Sequence, residues 1–271
     1  MATLLQNAEK LADSRIDCHV HTFTSALEFS PARRYQPDYD ASAKSLMDML
    51  VAHGVGKALL VQPSFLGTDN TYLADAIGLY PEHFRGVAVV DPSIDVAMAK
   101  SLARRGIVGV RLNAIGRPTP DLGSALYRGF TRTLAEAGLF LEIQAELEQW
   151  GTMARHLPQL TCDVVIDHFG RTPPGHDSMG FEILLESALK RDVWFKFSGP
   201  YRFGHAAAAR CAKILIETIG TDHIVWGSDW PWTQFESAHT YADCLAWLSD
   251  WVTEERVHDI LVRNPKKLLR L

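Results

Sequence analysis

Three histidines, two aspartates and four arginines lie at or just past the ends of short apolar runs. The run "RIDCHV" (15–20) carries His19 and is followed by His21. "CDVVID" (162–167) ends in Asp167 and leads into His168 and, in "HFGR", Arg171. "HIVWGS" (223–228) is followed by Asp229, and "IVGVRL" (107–112) carries Arg111, with Arg117 six residues later. Arg202 follows "VWFKFS" (193–198), Ser64 follows "KALLVQ" (57–62), and "LFLEIQ" (139–144) ends in Gln144. Imidazoles and a carboxylate can move protons and polarise a carbonyl. Guanidinium forks suit carboxylate or sulfonate groups. Each residue alone has a structural reading: a core histidine, an aspartate capping a helix, a solvated surface arginine. Their recurrence at the ends of several runs favours one shared site.

A shared site needs elements that bring those ends together. Eight β-branched runs, the seven above and 85–90, alternate with stretches at 42–54, 69–81, 95–106, 122–138, 146–157, 178–191, 206–220 and 236–251. The latter carry apolar residues at three- and four-residue spacing, as helices do. Strict alternation implies parallel strands joined by helical crossovers, and eight such units close into a (β/α)8 TIM barrel of the α/β class. A doubly wound open sheet is the alternative. The chain, 271 residues long, reads as one domain over 1–271, with 1–14 an N-terminal extension and 252–271 closing helices on the barrel's outside. Active groups of such barrels sit at the C-terminal ends of the strands, where the residues above would converge. Because strand side chains alternate faces, Asp17, His19 and His21 are expected on one face of the first strand and Ile16, Cys18 and Val20 on the other. The loop 22–40 either covers the mouth, with Arg33, Arg34 or Tyr35 in reach, or is a solvated surface loop. His53, His83, His156, His205 and His258 fall in helix patterns and read as structural.

The net charge of -5 excludes bulk attraction to nucleic acid or an anionic membrane. An acidic ligand must therefore be held by locally placed arginines. Cys18, Cys162, Cys211 and Cys244 are far apart and lack C-x-x-C spacing, which argues against a zinc ribbon or redox pair. With no apolar run near the roughly 20 residues of a membrane span and a polar N-terminus, a cytoplasmic protein is expected.

"DCHVH" (17–21), "VVIDHFGR" (164–171) and "IVWGSDWPW" (224–232), with "VRLNAIGR" (110–117) and "FSGPYR" (197–202), resemble the amidohydrolase superfamily. The resemblance is to its amidohydrolase 2 branch of 2-pyrone-4,6-dicarboxylate lactonases, 4-sulfomuconolactone hydrolases and sugar lactonases. It implies a hydrolase that opens a small anionic lactone in aromatic-acid degradation, 2-pyrone-4,6-dicarboxylate or a close relative. In that reading Asp229 activates water, and His19, His21 and His168 polarise the carbonyl. Arg111, Arg117, Arg171, Arg202, Ser64 and Gln144 bind the substrate, and Asp17 or Asp167 tune the imidazoles. Gln144 stands where the branch is expected to offer an aromatic hydroxyl, which opens the way to a relative of the pyrone. Two-metal amidohydrolases carry a strand-four lysine and a further strand-five histidine; "IVGVRLN" and "LFLEIQAE" hold neither. The resemblance implies that no metal is required, the alternative being one Zn2+ on His19, His21 and Asp229. The rival readings are a zinc-dependent lactonase, a metal-dependent decarboxylase and a non-catalytic anion-binding barrel.

Overall fold

The computed structural model describes residues 14–146, 148–173 and 179–271. The extension expected over 1–14 thus lies outside the described residues except for Ser14. Eight strands, β1 (Arg15–Val20), β2 (Val55–Val61), β3 (Phe84–Ala88), β4 (Ile107–Asn113), β5 (Phe140–Gln144), β6 (Val164–Ile166), β7 (Val193–Phe197) and β8 (Ile224–Trp226), follow one another in sheet order. All neighbouring pairs are parallel. The seam between the last and first strands is closed by His21 N–H on the Trp230 carbonyl and Asp229 N–H on the His19 carbonyl, each at 2.8 Å. The sequential order and this closure make the sheet a barrel and rule out a doubly wound sheet.

Between the strands run α1 (Ala43–Ala52), α2 (Thr71–Leu79), α3 (Val96–Arg104), α4 (Ala125–Glu136), α5 (Glu148–Met153), α6 (Gly180–Lys190), α7 (His205–Ile219) and α8 (Tyr241–Trp251). Ser42, Asp95 and Ser124 cap α1, α3 and α4 by accepting a first-turn N–H, and Thr240 with Asp243 forms a capping box on α8. No helix among the described residues is long and apolar enough to cross a membrane.

The apolar residues form two layers. Outward strand residues pack under the helices. Inward ones, among them Ile16, Cys18, Leu59, Val87, Phe140, Val165, Trp194 and Val225, fill the lower barrel. The C-terminal segment α9 (Glu254–His258), a π-helical turn (Asp259–Arg263) and α10 (Asn264–Leu269) does more than cover the outside. Leu268 and Leu269 join the inner cluster and plug the end of the barrel opposite the strand C-termini.

Face alternation fails once, in β1. Asp17 pairs with Ala58 and Val20 with Leu60, so three steps on β1 oppose two on β2, a β-bulge. Cys18 and His19 both turn inward, Cys18 into the inner apolar cluster. Asp17 does not share the histidine face. It points outward, accepting from Tyr241 Oη of α8 at 2.7 Å, Ser228 N–H at 3.0 Å and His19 N–H at 3.1 Å. Burial raises its carboxyl to about 6 against these hydrogen bonds. Asp17 ties β1 to the segment after β8 and does not touch the imidazoles it was expected to tune.

Candidate active site

Above the inner apolar cluster, the inward positions turn from apolar to charged. Lys196 of β7 places Nζ 2.5 Å from Glu142 Oε2 of β5, 3.1 Å from His19 Nδ1 and 3.4 Å from Asp167 Oδ1. Arg111 of β4 donates through Nε and Nη2 to Asp167 Oδ2 at 3.0 and 2.7 Å, and its Nε lies 3.2 Å from Glu142 Oε1. Lys196, Glu142, Asp167 and His19 are fully buried. Two cations and two carboxylates compensate one another, which is what allows such a layer to be buried. Sequence reasoning missed Lys196 and Glu142. Their signal was available: one charged residue on the inward period of an otherwise apolar strand, in "VWFKF" and "FLEIQ".

The reactive groups stand on this layer. Asp229 Oδ1 lies 3.5 Å from His21 Nε2 and 3.8 Å from His19 Nε2. Asp229 Oδ2 accepts from Arg202 Nε at 2.5 Å and Tyr201 Oη at 2.7 Å. His21 Nδ1 is 2.7 Å from the Val61 carbonyl, which can only accept, so Nδ1 carries a proton. His168 Nδ1 is 2.8 Å from Ser198 Oγ. His168 and Asp229 have left-handed backbones, φ 52° and 62°, a region costly for residues other than glycine and frequent at functional sites. Gly199 makes room for them: a Cβ there would stand 2.8 Å from Asp229 Oδ2 and 3.0 Å from His168 Nδ1.

Electrostatics set the protonation states. Burial alone pushes the Asp229 carboxyl up, but Arg202 and the neighbouring imidazoles hold it well below the usual carboxylate range. It is an anion. Burial lowers the His168 imidazole to about 3, and burial together with Lys196 drives His19 well down, over the opposing pull of Asp167. Both rings are neutral. The expected tuning by Asp167 is present but loses to desolvation.

The cavity above these groups has a volume of about 220 Å3 and is lined by His21, Ser64, Arg111, Gln144, His168, Arg171, Arg202 and Asp229, with Arg34, Tyr35 and Asn113. His19 sits behind the wall. Arg117 is exposed and is not among the lining residues. The loop 22–40 is a cover: Tyr35 and Tyr39 donate to Glu236 at 2.6 and 2.9 Å, and Ser30 N–H bonds the Phe65 carbonyl at 2.8 Å. Arg34 and Tyr35 thereby reach the cavity, while Arg33 bonds Gln36 in an exposed position. Most of the arginines are already engaged. Arg111 is closed on Asp167, Arg202 on Asp229, and Arg171 Nη2 lies 3.2 Å from Glu146.

His19 Nε2, His21 Nε2 and Asp229 Oδ1 lie within 4.8 Å of one another, the atom types and spacing of a three-ligand zinc site. His21 fits, since its protonated Nδ1 leaves a lone pair on Nε2. His19 does not fit. Its Nδ1 lies 3.1 Å from Lys196 Nζ and 3.2 Å from Asp167 Oδ1; with Nδ1 accepting from the ammonium, the ring proton is on Nε2, and an N–H cannot ligate a metal.

The sequence model of the amidohydrolase family matches residues 16–271. The chain belongs to the amidohydrolase family. A 4-sulfomuconolactone hydrolase of Hydrogenophaga intermedia is 26% identical over 266 residues, covering 93% of this chain and 87% of the relative. A 2-pyrone-4,6-dicarboxylate hydrolase of Comamonas testosteroni is 30% identical over 282 residues, 96% of this chain and 91% of the relative. The crystal structure of a probable 2-pyrone-4,6-dicarboxylic acid hydrolase from Acinetobacter baumannii with citric acid bound superposes with a TM-score of 0.89 at 33% identity, covering 95% of this chain and 99% of that one. In this amidohydrolase, β4 and β5 contribute Arg111 and Glu142 to the buried charged layer.

Proposed function

We propose that the protein is a lactone hydrolase whose substrate is a small ring bearing carboxylates, 2-pyrone-4,6-dicarboxylate or a close relative. One observation carries the reading. A carboxylate held ionised, Asp229, faces two imidazole nitrogens at the base of a cavity whose walls carry Arg34, Arg171 and Arg202. The named activities of the relatives support the same chemistry, and citric acid in the Acinetobacter structure is a polycarboxylate of comparable size.

In the proposed reaction, water lies between Asp229 Oδ1 and the lactone carbonyl, with His21 Nε2 as a second acceptor for it. Asp229 takes the proton while hydroxide adds to the acyl carbon. His168 donates to the developing oxyanion, a role worth about 3 kcal/mol per donor. The tetrahedral adduct collapses with loss of the ring C–O bond, and the proton on Asp229 passes to the departing ring oxygen. Arg171, Arg202 and Arg34 hold the carboxylates, with Ser64 and Gln144 as neutral contacts. Asp167 and Arg111 support the floor beneath them.

The test is ultraviolet absorbance of 2-pyrone-4,6-dicarboxylate with chelator-treated protein, with product mass measured in parallel. The expected result is loss of the pyrone band and a product heavier by one water. Turnover that appears only on adding zinc would support the second reading, a zinc-dependent lactonase, which the gathering of three ligating atoms favours. Release of carbon dioxide, or no turnover in either condition, would overturn the assignment.

A further inference from the structure

We propose that Lys196 is a positioning residue: it fixes the tautomer of His19, so that the imidazole presents Nε2–H towards Asp229 and not a lone pair towards a metal. An ammonium has three donors and no acceptor. Two of those of Lys196 are directed at Glu142 Oε2 and His19 Nδ1, at 2.5 and 3.1 Å, and the ammonium lies 3.4 Å from Asp167 Oδ1 as an ion pair. The contact with His19 is therefore donated by the lysine, and Nδ1 must be the bare nitrogen.

The opposite tautomer is poorly served. Its Nδ1–H would point at the ammonium. The neighbouring acceptor, Asp167 Oδ1 at 3.2 Å, is close enough in distance but is left without a hydrogen-bond partner by the direction of approach. Lys196 is fully buried and held by Glu142 Oε2 at 2.5 Å. At the far end of the ring, Nε2 has no hydrogen-bond partner and faces Asp229 Oδ1 at 3.8 Å. An ion seated on His19, His21 and Asp229 must first break the Lys196–His19 bond. One buried charged lysine, two strands from β1 around the barrel, thus decides whether a histidine pair that looks like a metal motif behaves as one.

The kinetic side of this inference rests on the reading of Asp229 as the base. The tautomer and the zinc affinity are measured without substrate, so a failure of the lactonase reading leaves them intact. The probe is nitrogen NMR of full-length protein carrying 15N-histidine, with His19 assigned through His19→Gln. It is joined by calorimetric zinc titration of chelator-treated protein. Wild type should show His19 protonated at Nε2. Lys196→Met/Glu142→Gln removes the lysine with its counter-charge, and its His19 should move to the Nδ1–H form. Its zinc affinity should rise at least about tenfold, as expected when a charge-assisted hydrogen bond no longer has to be broken, and kcat should fall with KM little changed. Glu142→Gln alone keeps the lysine and should keep the wild-type tautomer. A wild-type His19 protonated at Nδ1 overturns the proposal whether or not the double variant folds. So does a double variant with unchanged tautomer and unchanged zinc affinity.

Discussion

Asp229→Asn separates the two jobs that Asp229 performs in the proposed reaction, taking a proton and restraining Arg202. The amide is nearly isosteric. Its oxygen can keep the Arg202 and Tyr201 contacts now made at 2.5 and 2.7 Å, and its NH2 can donate to His21 Nε2, which lies 3.5 Å from Asp229 Oδ1. Loss of a general base costs about 10²- to 10⁴-fold in rate, so kcat should fall by about three orders of magnitude. Binding should move the other way. A substrate carboxylate about 5 Å from the Asp229 anion is repelled by about 3 kcal/mol at an effective dielectric of about 20. Solvent in the open cavity reduces this to about 1–2 kcal/mol, a five- to thirtyfold effect. The variant should therefore bind 2-pyrone-4,6-dicarboxylate more tightly than wild type binds it. Calorimetry on the variant, which consumes the ligand slowly, gives Kd, and pyrone absorbance gives kcat. A kcat near wild type would remove Asp229 as the base. Weakened binding would show that the carboxylate organises Arg202 for the substrate instead of competing with it.

Three further outcomes follow from the geometry. Arg34→Met should raise KM by about tenfold, the loss of one charge-assisted contact, with kcat retained in steady-state assays; unchanged KM would place Arg34 outside the binding set. Gly227→Ala puts a Cβ 2.5 Å from His19 Cβ and 2.8 Å from its backbone nitrogen, so the seam between β8 and β1 must shift. Urea unfolding should show a loss of about 2–4 kcal/mol, in the range of severe overpacking, and a variant as stable as wild type would refute that packing. For Asp17 the folded carboxyl titrates at about 6, above its ordinary 3.8. The fold favours the protonated form, so that stabilisation is present below about pH 4 and is lost as pH rises through 6. Wild type should thus lose about 3 kcal/mol relative to Asp17→Asn between pH 4 and 7. A pH-independent difference between the two proteins would refute it.

The barrel was legible because its signal is repeated: eight apolar runs, eight helical periods, one order. The strand-end histidines, Asp229 and three of the four arginines were legible for the same reason, since a known strand end fixes where a residue emerges. Asp17 was not, because a bulge alters register without altering composition, and nothing in "RIDCHV" marks the residue at which two steps become one. Arg117 and Arg34 depend on loop paths, which no periodicity predicts; the first ends exposed, while the second is carried into the cavity by Tyr35 and Tyr39 on Glu236. Lys196 and Glu142 could have been found by counting inward positions back from the strand ends.

Arginine number alone overstates how electropositive the cavity is. Arg111 and Lys196 are compensated by Asp167 and Glu142, Arg202 faces Asp229, and Arg171 lies beside the partly exposed Glu146. Among the described residues only Arg34 lines the cavity without an ion-pair partner. In the proposed complex a second carboxylate would meet a guanidinium that is already paired, and Arg202, which gives Asp229 its Nε at 2.5 Å, lines the cavity. Were such a substrate to draw Arg202 off Asp229, the carboxylate would lose the contact that does most to hold it low, and its basicity would rise as the proposed reaction requires. A neutral lactone would have no means of making that exchange. In the proposed reaction, selectivity for an anionic ring and activation of the base would then be two consequences of the same ion pair.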